Sequence, residues 1–494
     1  MTVLINRIRL GAYADSVALM RLSAEIARLE GIEEAAVMIG TPANKEILAA
    51  AALLNDDGAR ATAGDMIVAI RAAAPDLAEA ALATAEARLG VSVPGVSGAG
   101  AAGAVWRPKT LRAAAAAAPD ATLALISTPG DFAAAEARKA VRRGLNAMVF
   151  SDNVSIEAER ALKLEARDRG VIVMGPDCGT AILHGIPLGF ANVVPRGAIG
   201  VIGASGTGMQ EVTSLIARYG GGVSHAIGVG GRDLSEAVGG VSTLTALDLL
   251  DADPATEHVI LISKPPSADV SRRVLDRVAR SPKRFTICFL GAGPLTPPAN
   301  ARMASTLKSA ARAALGLADD EEGEAAPIAA RPGRIAGLFS GGTLAAEAQL
   351  ILLGAGRRVA SNAPVPGACL LGGATDADQV VDLGADEFTR GRPHPMIEPA
   401  IRAPLLAEAC ADPGVGVVLA DIVLGYGAHH DPAGAFVAAL NLSGDARPLV
   451  VASVTGTDAD PQGRSRQIET LTAAGVVVAP TNVDAAKWAA RPPG

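Results

Sequence analysis

The stretch from Ala198 to Gly220, AIGVIGASGTGMQEVTSLIARYG, runs a buried-strand pattern through a small, flexible loop into a helical pattern. A strand that turns this tightly into a helix belongs to a parallel α/β sheet, and the loop then lies at the carboxyl edge where such sheets bind ligands. The pattern recurs in Ile335 to Gly354, IAGLFSGGTLAAEAQLILLG, with Gly342, Thr343 and Glu347 at the positions of Gly206, Thr207 and Glu211. A helix starting in Ser, Gly and Thr offers an anion several unpaired backbone N–H groups and the positive end of its dipole. We therefore read Ser205, Gly206, Thr207 and Gly208, with Ser340, Gly341, Gly342 and Thr343, as a pair of phosphate-binding loops. The plainer reading is two tight turns whose glycines serve packing, since neither loop ends in Gly-Lys-Ser/Thr. Glu211 and Glu347 fall in the first turns, where a carboxylate stabilises the helix dipole; that plain role stands beside a catalytic one.

Composition agrees with an α/β chain. Of 494 residues 50% are hydrophobic but only 3% aromatic, which favours close helix-on-sheet packing by small side chains and a length of several domains. A net charge of −7 argues against nucleic acid or an anionic membrane as the main partner, because both select a basic face. The start, MTVLINRIRLGAYADSV, lacks the apolar core of a secretory signal, and no uncharged apolar run is long enough to span a bilayer, so a cytoplasmic protein is expected. Cys178, Cys288, Cys369 and Cys410 are far apart and form no C-x-x-C pair, which indicates buried thiols and neither a disulfide framework nor a metal site.

Outward from the two loops, the chain divides as follows. Residues 1–118 hold a helical pattern over Ser16 to Leu29 and apolar runs at Ala35 to Ile39 and Met66 to Ile70; they are expected to add to the first sheet, with a linker at 91–105. Residues 119–196 read βαβ: LALIST, a helix, AMVFSDN, a second helix, then VIVMGPDCG. Strands separated by helices pair in parallel. The loops at Gly40 to Asn44, Ser127 to Asp131, Ser151 to Asn153 and Gly175 to Gly179 would line one edge of that sheet. No G-x-G-x-x-G follows the first strand, so a nicotinamide site is not indicated. Residues 197–315 form the next unit, an acidic linker covers 316–333, and residues 334–494 repeat the design, which makes a tandem flavodoxin-like duplication the simplest account.

Further residues carry chemistry. Gly231 and Arg232 in GVGGRD place a guanidinium beside a flexible turn, suited to a carboxylate or phosphate, although a surface turn reads the same way. In TRGRPHPM two prolines fix the backbone around His394, with Arg392 close by, so a held imidazole could polarise a carbonyl or move a proton; a capped surface loop is the alternative. Lys264 ends a buried strand, as an anion contact or as part of a proline-stiffened strand end, and Thr457 and Arg464 flank a polar turn after another, which also suits plain turn chemistry. Asn153 sits in a post-strand loop. His429-His430 lacks a third ligand nearby and reads as a loop. Cys178 at a strand end has no activating histidine and reads as structure.

The order of motifs VMGPDCG, GVIGASGTG, HAIGVGGRDL and VILISKPP resembles the α subunit of succinyl-CoA synthetase, and the unit from GLFSGGTLAAEA onward is similar to the carboxy-terminal domain of its β subunit. Over nearly the whole length, with MIGTPANKEIL, MVFSDN, GRPHPMI and VTGTDADPQGRS included, the chain resembles the FdrA family of acyl-CoA-synthetase-like proteins. The resemblance implies a Rossmann-like CoA-binding-type domain in 119–196, followed by two flavodoxin-like synthetase-type domains whose loops grip one phosphoryl group from opposite sides. It departs in two places: the stretch that carries the synthetase's phosphohistidine reads PKRFTICFLGAGPLTPP here, without histidine, and no ATP-grasp module is recognisable. The family is associated with oxamate carbamoyltransferase in purine nitrogen catabolism, which implies conversion of oxalurate and phosphate to oxamate and carbamoyl phosphate.

On these grounds the sequence is expected to encode a carbamoyl or acyl transferase subunit. The two helix starts hold phosphate, Gly231, Arg232, Lys264, Thr457, Arg464 and Asn153 bind the carboxylate substrate, and His394 with Arg392 acts at the carbonyl. Other subunits and an oligomer are expected partners. Two alternatives stand: a succinyl-CoA-ligase-like component that binds CoA, with Thr41 and Thr128 as cofactor contacts, and a metabolite-binding subunit whose chemistry lies on a partner.

Overall fold

The computed structural model describes residues 2–12, 14, 16–90, 108–318, 332–372, 376–389, 393–441 and 447–491. The chain divides into two compact units, one of residues 1–120 with 127–129 and 389–393, the other of the remainder.

In the first unit β1 (Val3–Arg9), β2 (Ile32–Ile39) and β3 (Met66–Ala72) form an antiparallel sheet in the order β1-β3-β2. Leu19, Leu22 and Ile26 from one helix and Ala78, Ala81 and Leu82 from another cover Val37, Val68 and Ile70. This corrects the expectation that residues 1–118 extend the first parallel sheet. The segment VLINRIR is itself a strand, and three strands with two covering helices bury a core of their own. The linker at 91–105 lies outside the described residues.

The second unit begins with three parallel strands, β4 (Leu123–Ile126), β5 (Asn146–Val149) and β6 (Val173–Met174). The chain then leaves that sheet. β7 (Thr180–Leu183) and β8 (Ile186–Gly189) form a hairpin that joins the next sheet antiparallel, so 119–196 is split between two sheets and is not one Rossmann-like unit. The cause is local: His184 and Gly185 both adopt positive φ, 50° and 81°, the conformation of a two-residue hairpin turn.

β9 (Arg196–Gly203), β10 (Val223–Gly228), β11 (His258–Ser263), β12 (Arg284–Phe289) and β13 (Ala301–Met303) complete a sheet in the order β13-β12-β11-β9-β10-β7-β8. The other large sheet holds β14 (Arg334–Phe339), β15 (Val359–Ser361), β16 (Cys369–Leu370), β17 (Asp378–Asp382), β18 (Val415–Val423), β19 (Leu449–Thr455) and β20 (Val477–Ala479). Its order is β16-β15-β17-β14-β18-β19-β20, all parallel. In each repeat the strand before the glycine-rich loop is central, flanked by β10 and β11 in one and by β17 and β18 in the other.

One continuous core joins the repeats. Met209, Val212 and Leu215 from the first loop helix (Gly206–Arg218) cluster with Leu344, Ala348 and Leu352 from the second (Gly342–Gly354). The twin glutamates show the symmetry most clearly. Glu347 accepts the N–H of Leu307 (2.7 Å), the first residue of the helix Leu307–Ala314 that closes the first repeat. Glu211 accepts the N–H of Asn482 (3.5 Å), the first residue of the helix Asn482–Ala490 that closes the second, and the Asn482 amide donates back to Glu347 (2.7 Å). Each glutamate therefore caps the other repeat's last helix. Burial pushes Glu347 up to about 7 and also raises Glu211.

Candidate functional site

The two glycine-rich loops meet at the carboxyl edges of their sheets. Ser205 caps the first helix by accepting the N–H of Gly208 (3.0 Å), and its hydroxyl hydrogen-bonds to that of Thr343 in the second loop. Glycine is required for this approach: a Cβ on Gly341 would stand 3.0 Å from the Thr207 side chain, and one on Gly208 would stand 3.0 Å from Thr343 Cγ2. The fold thus brings into contact the two loops that the sequence sets in parallel.

The first helix start is open. The N–H groups of Ser205, Gly206 and Thr207 have no hydrogen-bond partner among the described residues. Beside them is a cavity of about 70 Å³ lined by Asp177, Thr180, Ser205, Gly206 and Gly231, among others. Thr180 is 2% exposed, and its Oγ1 has no hydrogen-bond partner among the described residues; a Cβ on Gly206 would lie 3.4 Å from it, so the hydroxyl faces the loop. A buried hydroxyl without a partner costs about 1–3 kcal/mol, which an incoming acceptor would recover. Asp177, at the rim of the cavity, holds a left-handed φ of 57°. Desolvation first, then the Asp152 and Asp386 carboxylates, raise it above the ordinary carboxylate range. Cys178 lines the same cavity, but burial pushes its thiol to about 12, which removes it as a nucleophile.

The turn bearing Gly231 and Arg232 is held from below. Lys163, fully buried, donates to Glu159 (2.7 Å), Asp233 (2.8 Å) and the Val229 carbonyl (2.9 Å). Asp233 in turn accepts the N–H groups of Ser242 (3.1 Å) and Thr243 (2.9 Å). Arg232 pairs with Glu159 (2.8 Å) and donates to the Val154 carbonyl (2.7 Å), so Gly231 reaches the cavity while the guanidinium is bonded within the chain.

The second helix start is filled by the chain's own acids. Asp421, completely buried at the end of β18, accepts the N–H and hydroxyl of Ser340 (2.7 and 2.9 Å) and the N–H of Gly341 (2.7 Å). Buried Arg402 neutralises it at 2.7 Å and also donates to its carbonyl (2.8 Å). Next in line, a Cβ on Gly342 would stand 2.5 Å from Asp382 Oδ2. Ser340 and Gly341, read above as phosphate contacts, are therefore already satisfied by a carboxylate. Burial raises Asp382 to about 6 against the opposing charge of Lys264, which reaches the site from β11. His394 packs against the same turn: a Cβ on Gly384 would lie 2.9 Å from its Nε2 and 3.2 Å from Asp382 Oδ1. Burial lowers the imidazole to about 4, and Nδ1 accepts the Met396 N–H (3.2 Å), leaving a neutral ring with its proton on Nε2.

The remaining expected residues lie elsewhere. Thr457 donates to the Val193 carbonyl (2.7 Å) and its N–H bonds to Asp460 (2.8 Å); Arg464 donates to the Val454 (3.0 Å) and Pro480 (3.4 Å) carbonyls. Thr457 thus ties the second repeat to the segment before β9, where Asp460 also accepts from Val193 N (2.7 Å) and Asn192 (2.8 Å), while Arg464 is bonded within its own repeat. Asn153 takes a left-handed φ of 53° and hydrogen-bonds to Asp152. Thr41 belongs to the N-terminal unit, where its hydroxyl caps the helix Pro42–Ala50. Thr128 lies in the turn after β4, and Arg392 lies outside the described residues. Sequence reasoning missed Thr180, Asp382, Asp421 and Arg402. For the two acids a signal existed: a lone aspartate inside an apolar strand run needs a buried partner.

Three family models match the chain: AllF, heavy metal-associated domain, over residues 1–101; CoA binding domain, over 196–289; and CoA-ligase, over 338–491. The CoA-binding match thus falls one unit later than the sequence reading put it. Residues 1–101 contain neither cysteine nor histidine, so thiolate and imidazole ligands are missing from that segment. Among solved structures, the apo acetyl-coenzyme A synthetase 1 of Ca. Korarchaeum cryptofilum aligns at 16% identity and a TM-score of 0.33, over 74% of this chain and 82% of that one. The α subunit of the ADP-forming succinate–CoA ligase of Methanothermobacter thermautotrophicus is 25% identical over 37% of this chain and 61% of its own. The uncharacterized protein YahF of Escherichia coli (strain K12) is 39% identical over 97% of this chain and 96% of its own. By that end-to-end likeness the chain belongs to the family of YahF, FdrA-like proteins related to acyl-CoA synthetases, with CoA-binding and CoA-ligase domains.

Proposed function

We propose that this chain is the CoA-ligase-type component of an enzyme that passes an acyl group between phosphate and CoA. The start of the helix Gly206–Arg218 receives the phosphoryl group of an acyl phosphate. The CoA thiolate attacks the acyl carbon, the C–O bond to phosphate breaks, and inorganic phosphate departs into the same N–H groups. One observation carries the reading: Ser205 and Gly206, whose N–H groups have no partner among the described residues, line one small cavity together with the Thr180 hydroxyl, which has none among them either. Donors fixed before the reaction act on developing charge without reorganisation, worth a few kcal/mol each. The neutral His394 ring has no charge to offer at pH 7 and serves to position the Asp382 turn. Calorimetric titration of the full chain with CoA, with and without phosphate, tests the reading. Saturable CoA binding is expected, and none at millimolar CoA contradicts it.

A second reading keeps the same phosphate position and transfers a carbamoyl group from oxalurate to phosphate. Carbamoyl phosphate formation from oxalurate and phosphate, by the chain with its partner subunits, is the test; no product with CoA binding intact leaves the first reading alone.

A further inference from the structure

The two helix starts are set apart by one residue position. In the first repeat Ile202 pairs with Leu261, and the next residue of β11 is Ile262. In the second repeat Leu338, the counterpart of Ile202, pairs with Ala420, and the next residue of β18 is Asp421. An isoleucine thus stands beside the open helix start and an aspartate beside the filled one. Asp421 makes the three contacts a bound carboxylate would make, two from backbone N–H groups and one from the Ser340 hydroxyl, and Arg402 supplies the counter-charge.

We propose that Asp421 is a built-in anion that occupies the second ligand position of the clamp, so that the chain accepts a single small anion at the first helix start. The loops touch through Ser205 and Thr343, so a second anion at the Ser340 N–H would face Asp421 within a few ångströms, where like charges repel by kilocalories in a water-poor site. The capacity of one rests on the phosphate reading above; the identity of the Asp421 position as an anion site does not.

Asp421→Ala, which vacates the position and leaves Arg402 in place, is the test, with formate and inorganic phosphate as probes. Calorimetry should give one phosphate per wild-type chain and two per variant chain. Formate should raise the melting temperature of Asp421→Ala by several degrees and leave wild type and Asp421→Asn, whose side chain still fills the place, unchanged. Should Asp421→Ala fold only with formate present, the proposal is equally supported. Two phosphates in the wild-type clamp, a folded Asp421→Ala indifferent to formate, or an equal formate response in Asp421→Asn would overturn it. Wild type that binds no phosphate, beside an Asp421→Ala that formate stabilises, would remove the phosphate reading and keep this one.

Discussion

The two glycine-rich loops are twins in sequence and opposites in charge. The first presents unpaired N–H groups, a buried hydroxyl and an isoleucine; the second presents the same backbone to Asp421, Arg402 and Asp382. A duplicated fold can thus keep both halves of a clamp for packing while only one keeps a vacancy. The difference between them lies in strands distant in sequence, and the loops themselves do not show it.

Removing the internal anion should have the largest effect. Asp421→Ala leaves a buried guanidinium unpaired and should destabilise the chain by about 3–5 kcal/mol in denaturant unfolding, whereas Ile262→Ala at the matching place costs only the usual cavity penalty of about 2–4 kcal/mol. Alanine at the twin glycines comes next. A Cβ on Gly342 meets the Asp382 carboxylate at 2.5 Å, while one on Gly206 meets only Thr180 Oγ1 at 3.4 Å. Gly342→Ala should therefore cost about 1–3 kcal/mol and Gly206→Ala less than about 0.5 kcal/mol. Equal costs would break the comparison.

The caps give a pH prediction. Glu347 ionises near 7 in the fold against an ordinary 4.5, because burial favours its neutral form. Its contribution to stability is full below about pH 4.5 and is lost as pH rises through 7, by at most about 1.4 kcal/mol per pH unit. Glu347→Gln should flatten that part of the unfolding profile; an unchanged slope contradicts the assignment. The smallest effect is expected for Thr180→Val. Stability should hold or rise slightly, since an unpaired hydroxyl is lost, and phosphate affinity should fall about fivefold to tenfold, near 1 kcal/mol.

The parallel sheets and the pairing of the loops were legible because strand, turn and helix are local signals repeated in order. The hairpin Thr180–Gly189 was not, because its turn depends on His184 taking positive φ, which histidine adopts rarely. β1 was missed because VLINRIR mixes charged and apolar residues and is defined only by its pairing with β3. Asp421 reaches Ser340 from a strand far along the chain, so its role appears only once β14 and β18 lie side by side. Thr457 and Arg464 looked like ligands because post-strand turns often bind them; Thr457 instead donates to the Val193 carbonyl, and Arg464 to carbonyls of its own repeat.

The most direct test of the central claim is a crystal structure of the full chain grown with inorganic phosphate. Tetrahedral density is expected within hydrogen-bond distance of the Ser205, Gly206 and Thr207 N–H groups and Thr180 Oγ1, with Asp421 still on Ser340 and Gly341. Phosphate at the Ser340 and Gly341 N–H groups with Asp421 displaced, or an empty first helix start, would contradict it.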